Sequence, residues 1–269
     1  MTELRLERVT FEYPGGVRAL EAVDLTVAPG TSLALIGANG SGKTTLLRHL
    51  DGLLRPTAGR VLHDGADIRG RGVAALARDV ALGFQHPDRQ IFGRNVRDEV
   101  EFGPRRQGAS DEEAFARAVA ALAAVGLPDE LGTHPGDLGE SRRKLLTIAS
   151  VLSMETPVVA IDEPTAGLDR AGTERIEAVL AGLHAAGRTT IVASHDMRFV
   201  AETAERIVVL AEGRVRLDGT PAQVFAEERW PVLRAAGLEP PAAAVTGAHL
   251  GLGSTPTEAD IVTALVSAG

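Results

Sequence analysis

The chain has 269 residues, a net charge of −8, 44% hydrophobic and 24% charged side chains, and no cysteine. This describes a globular protein with one large core; it excludes disulfides and thiolate metal sites, and the acidic excess disfavours a nucleic-acid partner. No apolar run approaches the ~18 residues of a spanning helix and the opening MTELRLERVTFEY has no apolar signal core, so a soluble chain is expected whose membrane role, if it has one, runs through a partner.

Residues 2 to 35 alternate apolar and polar positions in short pieces, which reads as strands. Gly37 to Thr45 then read GANGSGKTT, a match to G-x-x-x-x-G-K-[ST]. The buried-strand pattern LALI precedes it, and Leu46, Leu50, Leu53 and Leu54 follow at helical spacing. Such a loop turns successive backbone N–H groups toward phosphate oxygens, and the helix behind it adds its positive dipole end. Gly37, Asn39, Gly40, Ser41, Gly42, Lys43, Thr44 and Thr45 are therefore the candidate nucleotide contacts, with Lys43 neutralising the β and γ phosphates and the Thr44 hydroxyl ligating Mg²⁺. Only two of the 28 basic residues are lysines, Lys43 and Lys144. A compact ammonium at position 43 suits a crowded phosphate nest better than a planar guanidinium.

Further along, Asp64-Gly65 signals a tight hairpin turn. A helix is expected from Ser110, with Glu113 completing a capping box and Gly126 and Pro128 closing it. A second helix runs through RRKLLTIASVLSM, with Leu145, Ile148, Ala149 and Leu152 on one face. Strand VVAI, helix TERIEAVLAGLHAAG, strand TTIVAS and the strand pair RIVVLAEGRVRLDG follow. Strands alternating with helices predict an α/β core built on a mostly parallel sheet. The Ala/Pro/Gly-rich tail after about Trp230 contains EPPAAAVTGAHLGLG, which reads as a loose linker, and then a short helix in TEADIVTALVSAG.

Four residues or pairs beyond the phosphate loop complete a candidate constellation. Asp162 ends an apolar strand, where a carboxylate beside a phosphate loop can hold Mg²⁺, and Glu163 next to it can activate the attacking water. His195 follows another apolar strand and can reach a γ-phosphate. Gln85 follows a short strand, where its amide can touch both the metal and the water. Tyr13, the only tyrosine, can stack on a purine or be an ordinary strand residue. The remaining histidines, scattered through the chain, form no ligand pair, so no metal is expected apart from the Mg²⁺ of the nucleotide.

With these motifs in place the chain resembles the ATP-binding subunits of ABC transporters over residues 3–225. GANGSGKTT is similar to that family's Walker A, VVAIDEP to its Walker B with a catalytic glutamate, Gln85 to the Q-loop, AGLD ending in Asp169 to the D-loop, and His195 to the switch histidine. FQHPDRQIF, DEPTAGLD and DGTPAQVF resemble the energy-coupling-factor group, which drives uptake of vitamins and of cobalt or nickel ions. The resemblance implies a P-loop fold with an N-terminal antiparallel β subdomain and a helical subdomain over about 96–155, an ATPase domain over 1–229 and a C-terminal extension over 230–269. It implies ATP and Mg²⁺ as cofactors, and a head-to-tail pair with a second ATPase subunit, the same chain or a different one. It also implies a transmembrane coupling subunit, a substrate-binding membrane subunit and a place on the cytoplasmic face of the membrane. The alternatives are a soluble ABC ATPase outside transport and a regulatory nucleotide-binding module with weak turnover.

One family motif departs from pattern. The LSGGQ-type signature, whose N–H groups address the partner subunit's γ-phosphate, is represented by Leu138, Gly139, Glu140, Ser141 and Arg142. Glu140 places a carboxylate where the partner's phosphate is expected. Helix-dipole logic predicts Asp137 as a cap with Glu140 folded back onto the free N–H groups, and Arg142 and Arg143 offsetting the charge. A homodimer then has two weakened sites, which favours pairing with a different subunit.

Overall fold

The computed structural model describes residues 2–268. The strands are β1 (Leu4–Glu12), β2 (Arg18–Val27), β3 (Ser32–Ile36), β4 (Ala58–His63), β5 (Ala66–Asp67), β6 (Val80–Gly83), β7 (Val158–Asp162), β8 (Thr189–Ser194), β9 (Arg206–Ala211) and β10 (Arg214–Gly219). The helices are α1 (Lys43–Leu50), α2 (Val73–Leu76), α3 (Val96–Gln107), α4 (Asp111–Ala124), α5 (Glu140–Leu152), α6 (Arg170–Ala185), α7 (Met197–Thr203), α8 (Pro221–Val224), α9 (Trp230–Ala235), α10 (Ala242–His249) and α11 (Glu258–Ala268).

Two sheets organise the molecule. A four-stranded antiparallel sheet has the order β2-β1-β4-β5, and a six-stranded sheet has the order β10-β9-β3-β8-β7-β6. In the larger sheet only β10 runs antiparallel to its neighbour. The central strands β3, β7 and β8 are buried at every position, as strands covered on both faces must be. Their alternating side chains divide between two cores. Ala34, Ile36, Val159, Ile161 and Val192 join one; Leu33, Leu35, Val158, Ala160, Ile191 and Ala193 join the other.

Parallel pairing aligns the C-terminal ends of the strands that matter. Ile36 pairs with Ser194, Asp162 with Ala193, and Gly83 with Ile161. The loops that leave β3, β6, β7 and β8 therefore emerge along one edge, where open α/β sheets bind their ligands. Helices α3, α4 and α5 pack on one another beside this edge through Val96, Val100, Ala118, Leu122, Leu145 and Ile148.

Local signals in the sequence account for several boundaries. The capping box of α4 is formed, with Ser110 accepting from the Glu113 N–H and Glu113 accepting from the Ser110 N–H. Asp64 and Gly65, with φ of 49° and 77°, form the turn between β4 and β5. Two expectations fail. Helix α1 ends at Leu50, because Gly52 takes a left-handed φ of 75°; Leu53 lies beyond the helix and is exposed. The stretch EPPAAAVTGAHLGLG, expected as a loose linker, contains α10, and Ala244 is buried in the main core beside Leu233 and Leu238 from the segment before it. The helix propensity of Ala242, Ala243 and Ala244 after Pro241 outweighs the flanking prolines and glycines. No described helix is long and apolar enough to cross a membrane.

Candidate functional site

The phosphate loop runs from the end of β3 into α1. Gly42 is the N-cap of α1 with φ 109°, and a β-carbon there would lie 2.6 Å from the Ala19 carbonyl oxygen. Only glycine meets both conditions. The side chain of Lys43 is buried and curls back along the loop, donating to the Gly37 carbonyl at 2.6 Å and the Ala38 carbonyl at 3.3 Å. Burial lowers its pKa, and the neighbouring Glu163 and Asp162 carboxylates counter that shift.

Across from the loop, the Thr44 hydroxyl donates to Asp162 Oδ2 at 2.6 Å. The register of β3, β8 and β7 makes this contact across 118 residues of sequence. A hydroxyl and a carboxylate meeting there are hard oxygen donors that fit Mg²⁺, which takes few protein ligands and leaves places for phosphate and water. Gln85 is exposed on the loop after β6 and lines the same cavity.

Glu163 is buried and holds φ at 51°, an uncommon conformation for a residue with a side chain. Its N–H donates to the Ala193 carbonyl at 2.8 Å, which ties this strained turn to β8. Strain of this kind persists where the surrounding structure enforces it, and it concentrates at functional sites. Glu163 Oε2 lies 2.8 Å from His195 Nδ1. An ionised carboxylate only accepts, so Nδ1 carries the hydrogen and Nε2 is left to face outward. The His195 ring is well exposed.

A cavity of about 310 Å³ is lined by Tyr13, Val17, Arg18, Ala19, Asn39 to Thr45, Gln85, Asp162 and Glu163; Gly37 and His195 lie outside its lining, His195 being joined to it through Glu163. A larger groove of about 800 Å³ lies between α4 and α6, floored by alanines. It holds none of the phosphate-loop residues and neither Asp162 nor Glu163, so the chemistry belongs to the smaller cavity. Tyr13 stands at the cavity wall, its ring edge-on to Phe11 at 4.9 Å and its hydroxyl 3.1 Å from Thr45 Oγ1.

The divergent signature lies at the start of α5. Gly139 is the N-cap and makes no side-chain bond, so the first-turn N–H groups are uncapped. The expected cap is therefore absent: Asp137 belongs to a short 3-10 turn and Glu140 does not fold back onto Gly139. Leu138 is buried and anchors the turn, while Glu140 is exposed with its carboxylate beside Gly167, 3.8 Å from where a β-carbon on that glycine would stand. Ser141 is half-buried one position on. Arg142 and Arg143 do not offset the charge, because they turn to Glu130 and Asp88. Asp169 caps α6, accepting from the Gly172 N–H at 2.7 Å.

Sequence reasoning passed over two residues. Gln90 accepts from the Phe84 N–H at 2.9 Å and donates to the Thr147 carbonyl at 3.2 Å, which holds the loop bearing Gln85 against α5. Lys144 is buried on α5, and burial lowers its pKa to about 8 against the pull of Asp162 and Glu163. Its rarity as one of two lysines was a usable signal.

Comparison with known proteins agrees with this geometry. Residues 20–166 match the model of the ABC transporter family. The cobalt import ATP-binding protein CbiO of Rhodobacter capsulatus is 42% identical over 242 residues, covering 88% of this chain and 85% of that protein. The energy-coupling factor transporter ATP-binding protein EcfA2 of Symbiobacterium thermophilum is 41% identical, with 88% and 84% covered. A putative ABC transporter ATP-binding protein of Methanosarcina acetivorans is 40% identical, and there the chain spans only 38% of the relative's length while 88% of this chain is covered. The solved structure of cbiO1 from Clostridium perfringens superposes with a TM-score of 0.74 at 34% identity, covering 86% of this chain and 93% of that one. The chain therefore belongs to the ABC transporter family, among its ATP-binding subunits and with relatives in the energy-coupling-factor group.

Proposed function

We propose that this chain hydrolyses ATP at the site formed by Lys43, Thr44, Gln85, Asp162, Glu163 and His195, and that hydrolysis energises an importer of the energy-coupling-factor type, for a vitamin or a transition-metal ion. One observation carries the reading: neighbouring Asp162 and Glu163 line one cavity with the phosphate loop, Asp162 bonded to Thr44 at 2.6 Å and Glu163 to His195 at 2.8 Å. The names of the cobalt-import and energy-coupling-factor relatives support the transport class.

Phosphoryl transfer to water requires positioning and charge neutralisation more than covalent chemistry. The uncapped N–H groups of the loop and of α1 receive the phosphate oxygens, and Lys43 leaves the Gly37 and Ala38 carbonyls for the β and γ phosphates. Thr44 and Asp162, with Gln85, would hold Mg²⁺, which would neutralise the charge of the phosphates. Glu163 accepts the proton of the attacking water. His195, oriented by the Nδ1–H it gives to Glu163, donates to the γ-phosphate through Nε2 when that nitrogen also carries a proton. Tyr13 packs against the base.

A head-to-tail pair brings the uncapped start of α5 onto the partner's nucleotide, and ATP shared between two subunits stabilises the closed pair over the open one. Phe92, on the segment that follows the Gln85 loop, and Phe102, on α3, expose their rings 4.6 Å apart edge-to-face. They offer an apolar contact for the transmembrane coupling subunit on the cytoplasmic face of the membrane. The test is purification of the tagged chain from detergent-solubilised membranes of its own cells. An integral membrane protein is expected to copurify in fixed stoichiometry and to be lost on Phe92→Asp; a chain that leaves the membrane fraction alone and stays alone removes the transport reading.

Glu140 argues for unequal sites. Its free carboxylate faces outward from the first turn of α5 with Arg142 and Arg143 engaged elsewhere. In a homodimer it opposes each γ-phosphate; in a heterodimer with a glycine-rich signature on the partner, the site built on this chain's Lys43 is complete. Replacing Glu140 and Ser141 together by glycine is expected to raise turnover of the lone chain by about tenfold, the scale of one exposed charge near a phosphate. Unchanged phosphate release in the double variant means that the carboxylate turns away and the homodimer is competent.

A further inference from the structure

We propose that Lys144 is a positioning residue for hydrolysis: its buried ammonium ties α5 to the backbone of the Gln85 loop and of Asp162, so that the two magnesium-facing side chains are held in one frame with the helix that addresses the partner's nucleotide. The inference rests on the ATPase reading above.

The geometry is specific. Lys144 Nζ donates to the Phe84 carbonyl at 3.2 Å, the Gln85 carbonyl at 3.1 Å and the Asp162 carbonyl at 3.2 Å. All three hydrogens of the ammonium are thereby used on acceptors from the ends of β6 and β7. Its partners are backbone, so the side chain controls where the main chain of Gln85 and Asp162 stands and leaves their functional atoms free. Lys144 lies one helical turn beyond Glu140, the first residue of α5. A second strap reinforces the first: Gln90 spans from the Phe84 N–H to the Thr147 carbonyl, and the Thr147 hydroxyl donates to the Lys144 carbonyl at 2.7 Å.

The alternative is plain packing, and the energetics oppose it. Lys144 is 2% exposed. Burying an ammonium on neutral carbonyls costs free energy, and a leucine or methionine fills the same space without that cost. The charge sits instead where it also draws on Asp162 and Glu163. A displacement of α5 as the partner's nucleotide docks is passed through Nζ to both metal-facing loops at once.

The experiment compares the full chain with its Lys144→Met and Lys144→Gln variants, measuring phosphate release against Mg²⁺ at saturating ATP, binding of ATP in EDTA, and thermal unfolding. Methionine removes all three donors, and the Mg²⁺ concentration for half-maximal activity is expected to rise about tenfold or more, the scale for loss of groups that orient metal ligands. Glutamine keeps two amide hydrogens, so a rise of about threefold is expected. Metal-free ATP binding stays as in the unaltered chain. An unchanged Mg²⁺ requirement in both variants overturns the proposal, as does a fall in turnover that only follows a lower melting temperature. Should the methionine variant fail to fold, the glutamine variant decides alone, and an unshifted Mg²⁺ requirement overturns the proposal. If the unaltered chain, alone and with its mate, releases no phosphate, it is the ATPase reading that fails, and the role of Lys144 falls with it.

Discussion

Replacing Glu163 by glutamine is expected to lower ATP hydrolysis by ~10²–10⁴-fold, the usual worth of a positioned general base, while leaving ATP binding intact. The amide is the same size as the carboxylate and keeps an oxygen for the His195 Nδ1–H, so the turn with φ 51° and its bond to the Ala193 carbonyl are preserved. What is lost is the capacity to take a proton from water. Removing a negative charge beside Asp162 and the phosphates also favours the nucleotide-bound form, so the closed pair accumulates. Phosphate release and gel filtration with Mg-ATP measure the two effects. Turnover within a few-fold of the unaltered chain would show that Glu163 is not the base and that its strained backbone serves another purpose.

Loss of the Lys43 ammonium acts one step earlier, on binding. Lys43→Ala leaves Asp162 and Glu163 facing the triphosphate with no opposing cation from the loop. Breaking a buried charge pair of this kind costs about 2–5 kcal/mol, so Mg-ATP affinity is expected to fall by roughly 30-fold to several thousand-fold. The nucleotide-free protein is not expected to melt earlier, because the ammonium is buried on carbonyls of its own loop and loses solvation there. Calorimetric titration with Mg-ATP and a thermal melt without it separate the two quantities. A dissociation constant within about threefold of the unaltered chain would place the triphosphate elsewhere. A melting temperature lowered in the same measure as affinity would make Lys43 a structural residue.

The residues around the nucleotide cavity differ in how plainly the sequence announces them. Gly42 announces itself through the G-x-x-x-x-G-K-[ST] spacing, and its φ of 109° and the approach of the Ala19 carbonyl give the physical reason. Asp162 and Glu163 follow a run of apolar residues long enough for one strand, and parallel pairing places that strand's end beside the phosphate loop. Gln85 needs more: its loop acquires a location only once β6 pairs with β7 and Gln90 and Lys144 hold it against α5. Tyr13 is legible as a rare residue but not as a wall of the cavity, since its packing on Phe11 and Thr45 joins β1 to α1.

Where local rules compete, tertiary packing decides. Asp137, one turn ahead of α5, satisfies the pattern of a helix cap, yet Leu138 is buried and rotates the chain so that Gly139 takes that position. Pro and Gly in EPPAAAVTGAHLGLG satisfy the pattern of a linker, yet Ala244 finds room in the main core beside Leu233 and Leu238 and folds the segment onto it as α10. The sequence by itself determined the phosphate loop, the strand-end carboxylates and the α/β alternation, because each rests on chemistry between residues near one another in the chain. Only the tertiary structure decided the partners of Lys144, the uncapped start of α5 and the burial of the C-terminal helices. Those depend on contacts such as Lys144 to Gln85, 59 positions apart, which no local preference encodes.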